Sequence, residues 1–283
     1  MARTALRHQV AAGLRALREQ AGVTREEAAT VIRASVQTVG HIETARSLPN
    51  GLQLEKLLAH YGVPERIPHY LELRERARNS VDWWQGKAAA VPAYRALFFG
   101  GEATAERVEA WDPMQVPELA RTPEYAAALL RATEPDLAAE EVERRVDLLV
   151  CRQREVLDGD VATVSLLFGE AALRWPVGTP EVMAAQAEYL VELAARPGFE
   201  LWVLPLDAGR RGISLPFTVL SFPHLDGSGE ETGAVYVETL VDGHYYGRGD
   251  QVDRYRAAFE GVRAAAIAVG DDPEFVRGAV GGG

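Results

Sequence analysis

The chain has 283 residues, 47% of them hydrophobic and 25% charged, which is enough apolar material for two packed domains and excludes a disordered tail. Its net charge of −11 counts, as a whole-chain figure, against a nucleic-acid partner. A single cysteine, Cys151, excludes an internal disulfide and points to a reducing, cytoplasmic compartment, while the lack of a charged start followed by an apolar run, and of any run of about 18 apolar residues, points away from secretion and from the membrane.

Split along the chain, the charge changes meaning. Residues 1–80 hold 12 Lys and Arg against 8 Asp and Glu, a net of +4, and the remaining residues carry −15. A mildly basic first part is followed by a strongly acidic second part.

The first part reads as short helices joined by tight turns. Within residues 4–63 the first helix has Val10, Leu14 and Leu17 at helical spacing and stops near Ala21-Gly22. A second begins at Thr24, where Thr24-Arg25-Glu26-Glu27 fits a capping box and Ala28, Ala29 and Ile32 form the apolar stripe. Ser35 is placed to cap a third helix that turns Val39 and Ile42 inward. After the turn Leu48-Pro49-Asn50-Gly51, a further helix is marked by Leu54, Leu57, Leu58 and Tyr61 and ended by Gly62 and Pro64. A charged helical run over 65–80 leads to Trp83-Trp84.

Residues 86–92 are expected to act as a linker, 93–110 to be helical, and 123–157 to hold two helices after breaks at Pro113 and Pro117. The texture then changes to strand-like runs at 161–168, 200–204, 217–222 and 234–240, with a helix at 180–196 and a closing helix at 250–269. Ser228 to Gly233 reads as a hairpin-type loop, and the glycine-rich end from 278 as frayed. The expected architecture is an all-α domain over 1–80, a connecting segment over 81–100, and a mixed α+β domain over 101–283 with about four or five mostly antiparallel strands. Trp83, Trp84 and Trp111 are expected in an interdomain core.

A short helix, a tight turn and a second helix form the helix-turn-helix plan. The second helix must bury one stripe and leave another free for the major groove. With Val39 and Ile42 buried, the 100° step of a helix turns Gln37, His41 and Thr44 outward, and Ser35 and Thr38 stand at its start. Gln pairs with adenine and His donates to guanine, so these side chains suit base edges, while Arg25 and Arg46 are placed to meet phosphates.

Residues 10–63 resemble the Xre/phage-repressor class of helix-turn-helix domains. The resemblance is carried by Leu14, Leu17-Arg18, Thr24-Arg25-Glu26-Glu27-Ala28-Ala29, Ser35, Val39, Ile42-Glu43 and Leu48-Pro49. It implies a λ-repressor-like fold and a structural ion pair between Arg18 and Glu43. Two residues depart from the pattern. Arg33 stands in the turn where the family often has glycine, a strained place for arginine if its φ is positive. Gly40 lies inside the reading helix at a cost of about 1 kcal/mol against alanine, either to allow close approach to DNA or as the mark of a degraded reader.

The string from Val116 to Ala126, Val-Pro-Glu-Leu-Ala-Arg-Thr-Pro-Glu-Tyr-Ala, is similar to a motif of actinobacterial Xre-type regulators that carry a C-terminal domain of unknown function. Cys151-Arg152-Gln153-Arg154, Phe168-Gly169-Glu170-Ala171-Ala172-Leu173-Arg174, Gln186, Val203-Leu204-Pro205, Phe217-Thr218-Val219-Leu220 and Val235-Tyr236-Val237-Glu238 extend the likeness over nearly the whole chain. This resemblance implies a transcriptional regulator, often encoded beside a small partner protein in an antitoxin-like arrangement. Glu118, Ala120 and Arg121 depart from the family's usual Pro-Gly-Leu-Leu-Gln-Thr at 117–122. The candidate positions for a ligand or partner are Arg121, Tyr125, Arg154, Glu170 and Glu238. Glu170 and Glu238 adjoin apolar strands, where a buried carboxylate needs a partner such as Arg154 or Arg174.

Catalytic and metal signatures are missing from the sequence. The six histidines show no metal-ligand spacing, Cys151 sits among apolar helix positions as a buried thiol, and Ser214 lacks a nucleophile-elbow pattern. No enzyme, cofactor or metal is expected. Two readings remain. In the first, the chain is a regulator that binds a double-stranded operator as a homodimer and is modulated by a ligand or small partner. In the second, it is an antitoxin-like interaction component with a vestigial reader.

Overall fold

The computed structural model describes residues 3–159, 161–209, 214–222 and 232–281. They divide into two compact units, one gathering Met1–Gln85 and Ala96–Thr104, the other Gly86–Arg95, Ala105–Ser221 and Gly233–Gly283. The connecting segment expected at 81–100 is shared between them.

The first unit is all-helical. It contains α1 (Arg3–Gln20), α2 (Arg25–Val31), α3 (Val36–Glu43), α4 (Gly51–His60), α5 (Ile67–Asn79) and α6 (Ala96–Glu102). The apolar faces of the first five converge on one core. Leu6, Val10, Leu14 and Leu17 of α1 meet Ala28 and Ala29 of α2, Val39 and Ile42 of α3, Leu54, Leu57 and Leu58 of α4, and Tyr70 and Leu73 of α5. Asp82 binds the start of α1, accepting from the Thr4 backbone N–H at 2.9 Å and the Thr4 hydroxyl at 2.7 Å. Trp83, Trp84 and Phe99 form a ring cluster with centroids 5.2–6.1 Å apart, so these two tryptophans pack within the first unit and not in an interdomain core.

Gly13 lies in the middle of α1, where alanine would ordinarily favour the helix by about 1 kcal/mol. A Cβ there would overlap the hydroxyl of Tyr70, which is fully buried. Gly13→Ala is therefore expected to destabilise the unit, by about 1–3 kcal/mol of overpacking, and a thermal melt that rose would contradict this packing.

The second unit is built on β1 (Arg107–Asp112), α7 (Pro123–Thr133), α8 (Ala139–Leu157), β2 (Thr163–Gly169), α9 (Ala171–Arg174), α10 (Pro180–Ala194), β3 (Phe199–Leu204), β4 (Phe217–Phe222), β5 (Thr232–Glu238), β6 (Gly243–Tyr246), α11 (Gly249–Arg263), β7 (Ile267–Ala268) and α12 (Pro273–Gly281). Among the described residues one sheet of seven strands runs in the order β6-β5-β4-β1-β2-β3-β7. Its centre is parallel, β1 on β2 and β2 on β3, with helical crossovers between them, and antiparallel pairs lie outside it.

The sheet has seven strands where four or five are expected, with antiparallel pairs outnumbering parallel ones among those described. Residues 107–110, the end of the stretch expected to be helical, belong to β1, the strand between β2 and β4, because a central strand with both neighbours in place shows no clear alternation. The closing helix ends at Arg263, and Ile267–Ala268 pairs with β3. Residues 278–281, expected to fray, continue α12, and the rest of the glycine-rich end lies outside the described residues. The expected loop from Ser228 to Gly233 lies largely outside the described residues.

Trp111, Leu167, Phe217, Val219 and Val235 face α11, which contributes Val252, Phe259 and Val262 to their cluster. Trp111 thus belongs to the core of the second unit. The alternate residues Leu166, Phe168, Leu201 and Val203 turn to the other face, where α10 packs on β3.

Candidate nucleic-acid interface

Local sequence signals set the ends of α2 and α3. The Thr24 hydroxyl accepts from the Glu27 backbone N–H at 3.2 Å, and the Glu27 carboxylate accepts from the Thr24 N–H at 2.8 Å, a complete capping box. Ser35 accepts from the Thr38 N–H at 3.1 Å and opens α3. Val39, Ile42 and Glu43 are the buried residues of α3. Gln37, His41 and Thr44 fall on the opposite side, at the surface, and Val36 beside them is 40% exposed.

The polar groups of this face are differently placed. Ser35 and Thr38 hydroxyls lie 2.9 Å apart, and the Thr44 hydroxyl donates to the Gly40 carbonyl at 2.7 Å, so these three serve first to close the helix ends. Among the described contacts, Gln37, His41 and the Arg46 side chain meet no partner within the protein. A Cβ at Gly40 would meet nothing within 4 Å, so packing inside the unit does not demand glycine there.

Glu43 anchors α3 to the rest of the unit. Its carboxylate accepts from Arg18 Nε at 2.5 Å and Nη2 at 3.3 Å, and from Arg25 Nε at 2.8 Å. The Arg18–Glu43 pair implied by the family resemblance is joined by a third member. Arg25, read from sequence as a phosphate contact, commits its Nε to Glu43 while 42% of its side chain remains exposed. Burial pushes the Glu43 carboxyl up, but the hydrogen bonds from Arg18 and Arg25 outweigh it and hold it below its ordinary 4.5. Burial, with the Glu43 charge, raises the Tyr61 hydroxyl to about 12.

The turns flanking α3 are unusual. Arg33 has φ 52° and Ala45 has φ 59°, left-handed conformations that cost a non-glycine residue roughly 1–2 kcal/mol. The loop after α3 is tied back by Arg7, which donates to the Arg46 carbonyl at 3.2 Å.

The five ligand or partner candidates of the second unit do not converge on one site. Arg121 is held locally, donating to the Val116 carbonyl at 2.7 Å and to Gln115 Oε1 at 2.9 Å. Tyr125 is 2% exposed, a core residue whose hydroxyl burial pushes above its ordinary 10. Arg154 is exposed on α8, and among the described contacts it pairs with neither glutamate. Glu170 pairs with Arg174 at 2.7 Å and accepts from the Leu206 N–H at 2.9 Å. Glu238 is bound by Arg95, at 2.7–2.9 Å, and by the Tyr236 hydroxyl at 2.9 Å.

Sequence reasoning missed the charge cluster that Arg95 completes. Arg95 also binds Glu118, at 3.1 and 3.3 Å, and Glu118 is bound in turn by Arg152. Arg152, two residues from the candidate Arg154, is the buried arginine of that stretch. Buried Gln153 and Gln186 stitch the 118–122 loop, Gln153 donating to the carbonyls of Glu118 and Arg121, and Gln186 bridging Ala120 and Thr122. Cys151 is half-buried and free.

An open, mainly apolar cleft of about 580 Å³ lies among α9, α10 and α12, lined by Leu173, Pro176, Met183, Ala187, Ala279 and Val280. The charged residues at this cleft are paired, Arg174 with Glu170 and Arg277 with Glu188 at 2.7 Å. Among the described residues no three His, Cys, Asp or Glu side chains gather as a metal site, and no described helix is long and apolar enough to cross a membrane.

The family model for a helix-turn-helix domain matches residues 9–67, and that for a domain of unknown function, DUF5753, matches residues 96–277. No curated protein and no solved structure matches the chain.

Proposed function

Because the chain belongs to the family defined by DUF5753, a domain of unknown function, and carries a helix-turn-helix domain as well, we propose that it is a sequence-specific transcriptional regulator of the Xre class, acting in the cytoplasm on double-stranded DNA. The observation that carries this reading is the outward face of α3, where Gln37 and His41 stand without internal partners on a helix fixed from behind by Glu43. A helix with its side chains is about 10–12 Å across and fits the roughly 12 Å width of the major groove. The +4 charge of residues 1–80 is modest, so affinity rests on a homodimer engaging two half-sites about one DNA turn apart. The protein so read catalyses no reaction. The second domain modulates binding, and the cleft among α9, α10 and α12 is the place we assign to a ligand.

Gln37→Ala and His41→Ala are expected to weaken binding to the selected operator by about 1–3 kcal/mol each while leaving a scrambled duplex unaffected. Arg46→Ala is expected to weaken both duplexes alike. Titrations at one fixed salt concentration check this, and equal losses on both duplexes for all three variants would contradict base reading by α3.

The second reading, an antitoxin-like component that holds a small basic partner, draws on the −15 charge outside residues 1–80. A purified partner retained at moderate salt, with no DNA footprint in any state, would favour it over the regulator.

A further inference from the structure

Several cations of the helix-turn-helix unit are held by its own carboxylates. Arg15 pairs with Glu19, Arg18 and Arg25 with Glu43, and Arg74 with Glu75. Arg33 and Arg46 are different. Both are exposed, and among the described contacts neither guanidinium has a partner within the protein. They stand at opposite ends of α3, three residues before its first residue and three after its last. Each belongs to a turn with a left-handed residue, Arg33 itself and Ala45 beside Arg46.

A strained backbone persists where surrounding interactions or function hold it in place. Glycine would adopt φ 52° freely, and no described contact of the Arg33 side chain offsets the strain. What arginine supplies and glycine lacks is a mobile positive charge. With α3 set in a major groove, the turns that flank it come close to the sugar–phosphate backbone bounding the groove. We infer that Arg33 is a phosphate-binding residue, acting from the turn before α3 as Arg46 acts from the turn after it, and that its charge is the reason an arginine occupies a left-handed turn. This rests on the reading of α3 as the DNA-reading helix.

The consequence is opposed effects on stability and on binding. The full-length chain is titrated with a mixed-sequence duplex of about 30 base pairs, by fluorescence anisotropy, at about 50 to 200 mM salt. Arg33→Gly is expected to melt several degrees higher than the unaltered protein. It is also expected to bind roughly 3- to 10-fold more weakly, with the log–log salt dependence shallower by about one counterion. Arg33→Asn, which tolerates the left-handed turn without the charge, should show the same binding loss, and Arg33→Lys should restore the salt slope. Arg78→Ala on α5 removes a charge elsewhere and should leave the slope unchanged. If Arg33→Gly and Arg33→Asn bind with undiminished affinity and slope, the inference is overturned while the regulator reading stands. If the unaltered protein shows no salt-dependent binding at the lowest salt, both are overturned.

Discussion

Glu43→Ala is expected to destabilise the helix-turn-helix unit by about 3 to 5 kcal/mol, more than any surface substitution of α3. The side chain of Glu43 is 2% exposed and that of Arg18 10%, so removing the carboxylate strands a nearly buried guanidinium. The Val23 carbonyl at 2.8 Å and Glu19 at 3.3 Å remain to Arg18, but Glu19 is half-exposed and also binds Arg15, so it replaces only part of what is lost. Arg25 is exposed enough to turn to water and contributes less to the loss. For a unit of this size each kcal/mol moves the melting temperature by about 4–8 °C, so a drop of at least about 12 °C is expected. The double variant Arg18→Met with Glu43→Leu should lose much less, because it removes both charges together. The pH dependence follows from the same contacts. A carboxyl held below 4.5 in the folded state contributes fully above that value, and its contribution is lost as the pH falls through the lower folded value. The unaltered unit should therefore lose stability in acid, and Glu43→Ala should show a flatter acid limb. Melts of equal midpoint for the single and double variants would contradict this account of how α3 is held.

Glu118→Gln carries the second large effect, a loss of about 2–4 kcal/mol in the DUF5753 domain and a fall in its melting temperature of roughly 4–16 °C. The substitution keeps the shape and removes one charge from a neutral cluster of two arginines and two glutamates. Arg152 is 6% exposed and Arg95 24%, so the surplus positive charge is poorly hydrated, although the 28% exposure of Glu118 softens the penalty. Burial pushes the Glu118 carboxyl up, and the charges of Arg95, Arg152 and Arg121 overcome it and hold it well below the ordinary carboxylate range. Its contribution is present above 4.5 and is lost as the pH falls towards the folded value, so acid should unfold this domain cooperatively with protonation of the cluster. A Glu118→Gln protein with an unchanged melt at pH 7 would show that solvent screens the cluster. Arg95 is also the last residue of its segment in the second unit, and Ala96 begins α6 of the first.

The legible parts of the sequence were those governed by local chemistry. The capping box at Thr24, the Ser35 cap and the 100° spacing of Val39 and Ile42 are decided within a few residues, and they place α2, α3 and the outward Gln37 and His41. Strand β1 was not legible, because Arg107–Asp112 becomes a strand through its two neighbours in the sheet. The charge cluster was hidden for a related reason. Arg95 meets carboxylates 23 and 143 residues away, and no local pattern announces either partner. Arg152, the buried arginine of the charge cluster, stands two helix positions from the candidate Arg154, a rotation of about 200° that separates the buried face from the exposed one. Glu170 was recognised as a carboxylate in need of a partner, and the structure supplies Arg174, one helical turn on.

Genome-wide mapping of DNA bound by the tagged full-length protein, beside its Gln37→Ala, His41→Ala double variant, tests most directly whether α3 reads sequence. The account predicts discrete sites sharing a motif of two half-sites about 10 base pairs apart, lost in the double variant while the protein still melts cooperatively. Discrete sites unchanged in the double variant, or no discrete sites for the unaltered protein, would contradict it.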